Sequence, residues 1–362
     1  MISNLQLLRA LAALAVVFYH TDYRFGAGVH TEFQGVAVFF VISGFIMTYI
    51  TRKDANGFLT HRLIRIVPLY WMSTLAMVAA AALASTAIWA DTTWSNLAYS
   101  LLFIPYRNGA GNIEPLLTVG WTLNLEMLFY LLFGVMLAVS TKWAPILTCA
   151  ALLALKLLRK LGCTAAVCDL YADPYTIYLI LGVAVFYLWG ALRARPPAAA
   201  PWLLVPFGVL VAVLFLLLNA YPPAGLAAES VFGDVPHYLM PMLIVLVALL
   251  FHSADLRCEW RLALALGGAS YALYLIHPVA IGFFKRVGRT WPVFYPSNNA
   301  GIVIVILLIC SLIALAIYYR IEQPLLGLLR RRLAEPRGSA AVAVAPAAAP
   351  STPAPPSHPL VS

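Results

Sequence analysis

The chain has 362 residues, of which 63% are hydrophobic and only 10% are charged, and its mean hydropathy is +0.89. About a quarter of the residues in an ordinary soluble domain are charged, so this composition excludes a chain built from such domains. The net charge of +9 indicates basic loops beside a membrane rather than nucleic-acid binding, because no basic face exists outside the loops between apolar runs. We therefore predict an all-α integral membrane protein with a lipid bilayer around it and no nucleic-acid partner.

Ten apolar segments follow one another along the chain, most of them close to the ~20 residues that a helix needs to cross a bilayer. We predict about ten transmembrane helices, at residues 5–22, 34–51, 66–90, 118–140, 143–158, 175–192, 202–219, 236–252, 264–284 and 299–321. A further stretch, Trp94–Ile104, is too short to span and is expected to lie at the interface or to re-enter the fold. The first segment has neither a basic stretch before it nor a small-residue cleavage site after it, which predicts a retained helix rather than a cleaved signal peptide.

The charged loops predict the orientation of these helices. Lys and Arg are more frequent on the side of the two termini, as at Arg52–Lys53 and Arg330–Arg332, which predicts cytoplasmic termini. The cluster Lys285–Arg289 falls on the other side and argues against this orientation. The domain boundaries follow as a membrane domain at 1–328, a basic juxtamembrane segment at 329–337 and a disordered Ala/Pro-rich cytoplasmic tail at 338–362.

The cysteines and histidines fit no metal-binding spacing, so no metal site is predicted. Cys149 and Cys310 lie in apolar runs and are interpreted as packing residues. Cys163 and Cys168 flank a short loop, where a disulfide would require that the loop faces an oxidising compartment. The sequence leaves that disulfide open.

Titratable side chains inside apolar segments are costly and usually functional. Arg9 and His20 lie in the first segment, Glu126 in the fourth and His277 in the ninth. A histidine held by a carboxylate is the usual arrangement of a general base, so His20 and Glu126 form a candidate pair. The alternatives are an interfacial His20 beside lipid headgroups and a structural ion pair between Glu126 and Arg9.

Arg62 and Arg65 are three residues apart, at a spacing that places both on one face of a helix. Two guanidinium groups on one face form a good clamp for phosphates. The alternative is a basic stop at the membrane border that only fixes topology.

Small and aromatic residues add weaker candidates. Ser43 lies in Phe39–Phe45, where Ser and Gly would let two helices approach closely. Tyr271 and Tyr274 precede His277 on adjacent turns of one face, and helix packing explains them as well as substrate contact does.

Taken in chain order, these motifs resemble the acyltransferase-3 family of membrane acyltransferases, and most closely its exopolysaccharide O-acetyltransferase branch. The resemblance covers residues 1–328. The segments that carry it are Leu5–Ala10 with His20, Phe39–Phe45, Arg62–Trp71, Trp121–Asn124 with Glu126, Ser270–Pro278, and Glu322 with Pro324. Two positions depart from the family pattern, since Ala10 stands where Gly is frequent and Ala37 where an acidic residue is frequent.

The resemblance implies a reaction and its location. The donor would be acyl-CoA, foremost acetyl-CoA, used as a co-substrate from the cytoplasmic side, with no permanently bound cofactor. The acceptor would be a carbohydrate hydroxyl on an exopolysaccharide or its lipid-linked repeat. The location would be the bacterial cytoplasmic (inner) membrane, with polysaccharide assembly machinery as a candidate partner.

The resemblance also implies roles for individual residues. These are catalytic His20 and Glu126, with Glu126 orienting the histidine or sharing its proton; acyl-CoA-binding Arg9, Arg62 and Arg65; and Ser43, Tyr271, Tyr274 and His277 along the acceptor or acyl path. Two other readings use the same buried charges. One is a transporter or flippase of a lipid-linked sugar, in which those charges line a polar path, and the other is a non-catalytic component of an export complex.

Overall fold

The structure is a computed structural model that describes residues 2–23, 34–84, 91–194, 201–220 and 235–334. None of the described residues forms a β-strand, so the all-α class is confirmed. The predicted tail at 338–362 lies outside the described residues. The α-helices are α1 (Ser3–His20), α2 (Gly35–Thr51), α3 (Phe58–Ala84), α4 (Trp94–Leu101), α5 (Trp121–Val139), α6 (Ala144–Lys160), α7 (Ala166–Tyr171), α8 (Thr176–Ala194), α9 (Pro201–Ala220), α10 (Val235–Ser253), α11 (Arg261–Thr290), α12 (Ala300–Ile317) and α13 (Gln323–Ala334).

Ten of these helices overlap the ten predicted apolar segments, namely α1 to α3, α5, α6 and α8 to α12. Among the described residues, five stretches are long and apolar enough to cross a membrane: Phe58–Leu83, Thr118–Val139, Ala166–Arg193, Arg261–Thr290 and Ala300–Arg331. Shorter apolar helices occur at Gly35–Thr51, Leu204–Leu217 and His237–Ser253. The molecule is therefore a helical membrane protein, and the number of ten crossings stays a prediction.

One helix boundary differs from the prediction in a way that matters for the site. Helix α3 begins at Phe58, before the predicted start at residue 66. Arg62 and Arg65 therefore lie within the first turns of α3, and not before it. A search for apolar runs cannot detect a polar first turn, although such a turn is ordinary helix.

Contacts between connecting segments define two ends of the helix bundle. The Asn4 side chain donates to the Leu256 carbonyl at 2.8 Å and accepts from the Cys258 amide at 2.7 Å, which ties the start of α1 to the α10–α11 connection. At the opposite end of α1, Asp22 pairs with Lys285 of α11 at 2.5 Å. We call these the Asn4 end and the Asp22 end.

A disulfide joins Cys163, in the connection between α6 and α7, to Cys168 in α7. The connection between α6 and α7 lies at the Asp22 end. Helix α5 starts beside Tyr274 of α11, whose hydroxyl donates to the Val119 carbonyl at 3.0 Å, and runs toward the Asn4 end. Helix α6 then runs back toward the Asp22 end. Disulfides persist in oxidising compartments. Which end of the bundle faces outward stays a prediction.

Helices α2 and α8 cross through two glycines. A Cβ atom added to Gly44 would lie 2.2 Å from the Leu179 carbonyl oxygen, and one added to Gly182 would lie 2.2 Å from the Val41 oxygen. The close helix contact predicted around Ser43 is thus confirmed, with Gly44 at the contact itself. The side chain of Ser43 points toward α5, where its hydroxyl donates to the Glu126 carboxylate.

Candidate active site

Helices α1, α2, α3, α5 and α11 enclose a cavity of about 110 Å³. Apolar side chains that include Val36, Phe39 and Ile46 form much of its wall. The structure also brings seven of the nine predicted site residues to this cavity: Arg9, Ser43, Arg62, Arg65, Glu126, Tyr271 and Tyr274. Residues from five separate chain segments thus converge on one small volume.

Glu126 is held by two hydroxyl groups. The Ser43 hydroxyl donates to its Oε1 atom at 2.7 Å, and the Tyr130 hydroxyl donates to the same oxygen. Tyr130 lies one turn further along α5, at the i+4 position whose side chain shares a face with Glu126. Both donors come from well-packed helices, so the carboxylate has a fixed orientation in the cavity wall.

Arg9 is buried and donates from Nη2 to the Ser270 hydroxyl at 2.9 Å. Its guanidinium group lies within electrostatic range of Arg65, Glu126 and Glu322. The ion pairs of the described residues do not include one between Arg9 and Glu126. The structure therefore favours a shared charged cluster over the simple ion pair considered from the sequence.

Arg62 and Arg65 are half-buried and line the same cavity, as expected for two residues on one face of a helix. Within the described part of the chain, neither takes part in an ion pair, and the Nε atom of Arg62 has no hydrogen-bond partner. Buried guanidinium groups normally find an anionic or carbonyl partner. Two such groups beside a cavity can bind the anionic part of a ligand.

The two tyrosines of α11 combine packing with cavity lining. The Tyr271 hydroxyl donates to the Ile66 carbonyl at 2.8 Å and so fixes α11 to α3 beside Arg65. The Tyr274 hydroxyl donates to the Val119 carbonyl and lies 2.8 Å from the Thr122 hydroxyl. Their rings form part of the cavity wall, so packing and ligand contact do not exclude each other here.

His20 and His277 form a separate pair beside the cavity, with ring centroids 4.8 Å apart. The ring of Tyr274 lies 5.7 Å from that of His277 and connects the pair to the cavity wall. His20 Nδ1 lies 2.9 Å from the Val16 carbonyl oxygen. Because a carbonyl oxygen only accepts, this contact places the imidazole proton on Nδ1 and leaves the Nε2 lone pair able to take a proton.

The predicted hydrogen bond between His20 and Glu126 is not present among the contacts of the described residues, which corrects the pairing inferred from the sequence. Depth estimated from residue counts does not show which helices are neighbours. Helix α1 packs mainly on α11, whereas α5 packs mainly on α6. A backbone carbonyl orients His20, and the carboxylate of Glu126 belongs to the cavity.

Sequence reasoning missed three contributors to the site. Tyr130 could have been found from its i+4 spacing to Glu126, and Ser270 lies in a segment that carries the family resemblance but was given no role there. Glu322 lies in the last segment that carries the family resemblance, where it was given no role. It is buried at the end of a π-helical turn, Tyr318–Glu322, within electrostatic range of Arg65 and Arg9.

One family model and several known proteins are similar to this chain. A family model for the acyltransferase-3 type, described as an acyltransferase domain, matches residues 2–320. The exopolysaccharide production protein ExoZ of Rhizobium meliloti is 32% identical over 332 residues, which cover 90% of this chain and 100% of that protein. The peptidoglycan O-acetyltransferase OatA of Listeria monocytogenes is 27% identical over 314 residues, 75% of this chain and 48% of that protein.

The O-acetyltransferase OatA of Staphylococcus aureus is 24% identical over 354 residues, 88% of this chain and 56% of that protein. The chain therefore spans about half the length of the two OatA proteins and the whole of ExoZ. No solved structure matches the chain.

Proposed function

The chain belongs to the acyltransferase-3 family and is a membrane O-acyltransferase, and from this premise we propose its donor and acceptor. The donor is acyl-CoA, in the first place acetyl-CoA, taken at the Asn4 end on the cytoplasmic side of a bacterial inner membrane. The acceptor is a hydroxyl of a carbohydrate, an exopolysaccharide or its lipid-linked repeat. The observation that carries this proposal is the cavity in which Arg62 and Arg65, both without an ion-pair partner in the described residues, meet an apolar wall and Glu126.

The donor assignment rests on the match between this cavity and the two halves of acyl-CoA. Arginine pairs bind phosphate oxygens through parallel hydrogen bonds, and coenzyme A carries phosphates at its nucleotide end. Pockets that enclose a whole drug-sized ligand measure about 300–1,000 Å³, well above the size of this cavity. The cavity therefore suits a short acyl thioester, while the nucleotide stays beside Arg62 and Arg65.

The acceptor assignment draws on the relatives. One relative is named for exopolysaccharide production, and the two OatA proteins are named as O-acetyltransferases. An O-acetyl group requires a hydroxyl acceptor, and polysaccharides supply such hydroxyls. The proposed partner class is accordingly carbohydrate, with polysaccharide assembly machinery nearby.

The proposed reaction transfers the acyl group directly from the donor to the acceptor. His20 Nε2 takes the proton of the acceptor hydroxyl, and the hydroxyl oxygen attacks the thioester carbonyl carbon. A C–O bond forms, the C–S bond breaks, and the leaving thiolate of coenzyme A takes the proton back from the His20 imidazolium and departs as the thiol. Arg9 faces the charge that develops near the carbonyl, and Glu126, fixed by Ser43 and Tyr130, orients the reacting groups. The His277 ring packs against the His20 ring. Tyr271 and Tyr274 line the cavity in which the acyl group is transferred.

Replacement of the arginines tests the donor assignment. We expect Arg62→Ala and Arg65→Ala to raise the KM for acetyl-CoA at least about tenfold, because each removes charge-assisted hydrogen bonds to phosphate. The measurement is transfer of radiolabelled acetyl groups to host polysaccharide by the purified protein in nanodiscs. Arg257→Ala is the matched control, since Arg257 is exposed at the Asn4 end and pairs only with Asp255 among the described residues.

An unchanged KM for acetyl-CoA in both variants would show that the donor does not bind in this cavity. The same assay separates the enzyme from a transporter or an export scaffold, because neither of those consumes acetyl-CoA. Wild-type protein that moved a lipid-linked sugar without any acetyl transfer would contradict the proposed reaction.

A further inference from the structure

A second, open pocket of about 460 Å³ lies at the Asp22 end, and the reaction proposed above does not use it. We call it the outer pocket. Its wall is mostly polar and includes Arg107, Asn112, Glu114, Trp121, Asp169 and Asp173. The volume falls within the range of small-molecule binding sites, about 300–1,000 Å³.

The wall of the outer pocket is braced on the side of α7. Asp169 forms ion pairs with both Arg107 and Arg159, which join α6, α7 and the connection before α5. The disulfide between Cys163 and Cys168 closes a short loop that ends one residue before Asp169. A binding wall fixed in this way loses little conformational entropy when a ligand arrives.

Several polar groups in the outer pocket are free to bind a ligand. Among the described residues, the side chains of Asn112, Glu114 and Trp121 have no hydrogen-bond partner, although all three line the pocket. A carboxylate only accepts, an indole N–H only donates, and an amide does both. This set matches the mixed donors and acceptors of a polyhydroxylated ligand, and the indole ring offers an apolar surface for the C–H face of a sugar.

The charges around the outer pocket are balanced. Arg107 and Arg159 accompany Asp169, and Lys156 lies beside Asp173, with Nζ 2.7 Å from the Asp173 carbonyl oxygen. Together with Glu114, three carboxylates face three cations. This balance fits a neutral sugar better than it fits a multiply charged phosphate compound, which Arg62 and Arg65 are suited to bind.

The outer pocket adjoins the cavity of the active site. Trp121 lines the outer pocket, and Thr122, the next residue, lines the cavity. The Tyr175 ring lies 5.3 Å from the Trp121 ring and 6.1 Å from the ring of Phe40, which also lines the cavity. Three aromatic side chains thus lie at the boundary between the two spaces.

We propose that the outer pocket is the subsite for the carbohydrate acceptor, where it binds a neutral sugar residue of the polymer or its repeat next to the acyl donor. This proposal rests on the proposed function, because it names the place at which that acceptor binds. Trp121 stacks on the sugar, and Asn112 and Glu114 bond to its hydroxyls.

The test separates acceptor binding from donor use. The probe is an oligosaccharide made from the exopolysaccharide of the host and freed of acetyl groups with mild alkali. We expect Trp121→Ala and Glu114→Gln to raise the KM for this probe about tenfold, as the loss of a hydrogen bond to a charged group or of an aromatic contact does. The KM for acetyl-CoA should stay at the wild-type value in both variants.

Trp94→Ala is the matched control, because Trp94 is 89% exposed at the start of α4 and lies outside the outer pocket. Asn112→Ala, in a surface loop, provides a third variant whose folding is not at risk. Unchanged KM values for the oligosaccharide in the variants at Trp121, Glu114 and Asn112 would overturn the proposal while acetyl transfer by the wild-type protein continued. Absence of any transfer by the wild-type protein would instead overturn the proposed function and this subsite together.

Discussion

His20 has the surroundings that a proton-accepting residue needs. Its Nδ1 atom is fixed by the Val16 carbonyl, and its ring packs against His277 at 4.8 Å between centroids. The orienting group is therefore supplied by the turn of α1 that precedes the histidine, and not by a carboxylate from another helix. This arrangement keeps the Nε2 lone pair available without the cost of a buried counter-charge.

Removal of this imidazole tests its role at the scale of one residue. We expect His20→Ala to lower kcat for acetyl transfer by about 10²–10⁴-fold, the usual contribution of a positioned general base. The KM for acetyl-CoA should change little, because His20 does not line the donor cavity. His252→Ala on α10 is the control and should keep wild-type kcat. A His20→Ala variant with full activity at normal expression would contradict the assignment.

The residues of the site could be predicted better than their partners. Charge inside an apolar segment is expensive, so Arg9 and Glu126 were identifiable from composition and position alone. Their partners depend on which helices are neighbours, and residue counts along one helix carry no information on that. For this reason the sequence paired Glu126 with His20, whereas the structure gives it Ser43 and Tyr130.

At the scale of elements, the crossing of α2 on α8 positions the wall of the cavity. Gly44 and Gly182 let the two backbones touch, and this contact turns Ser43 toward Glu126. Close approach of helices through small residues is the main source of packing energy in a membrane, where the hydrophobic effect between helices is absent. The same turn of α2 thus serves stability on one face and the site on the other.

An added methyl group should separate these helices. We expect Gly44→Ala to destabilise the protein by about 1–3 kcal/mol and to lower activity, because the new Cβ would meet the Leu179 carbonyl oxygen at 2.2 Å. Thermal unfolding of the purified protein in detergent measures the effect. Gly190→Ala in α8 is the control, since its Cβ would meet no atom within 4 Å. Equal melting temperatures for the two variants would show that the crossing is not a tight contact.

The positions of the ten main helices could be predicted because each needs a long apolar face. Boundaries were less predictable where a helix continues into polar turns, as α3 does before residue 66 and α11 does up to Thr290. The first of these extensions carries Arg62 and Arg65 to the cavity. A pattern of apolar residues does not predict polar helix ends, yet the polar end of α3 carries the two guanidinium groups that would bind phosphate.

At the scale of the whole molecule, the proposed donor site and the proposed acceptor site lie toward opposite ends of the helix bundle. Arg62 and Arg65 approach the cavity along α3 from the Asn4 end, whereas the outer pocket and the disulfide between Cys163 and Cys168 lie at the Asp22 end. The small cavity between them is the proposed place of acyl transfer. In this arrangement the donor and the acceptor reach the same reaction centre from opposite sides of the membrane.

Sealed membrane vesicles of known orientation test this central claim most directly. Acetyl-CoA does not cross a bilayer, so radiolabelled acetyl-CoA added outside reaches only one face of the protein. We predict that inside-out vesicles, which expose the Asn4 end, transfer the label to polysaccharide, and that right-side-out vesicles do so only after they are made permeable. Equal transfer by intact right-side-out vesicles, with no gain on permeabilisation, would contradict the account.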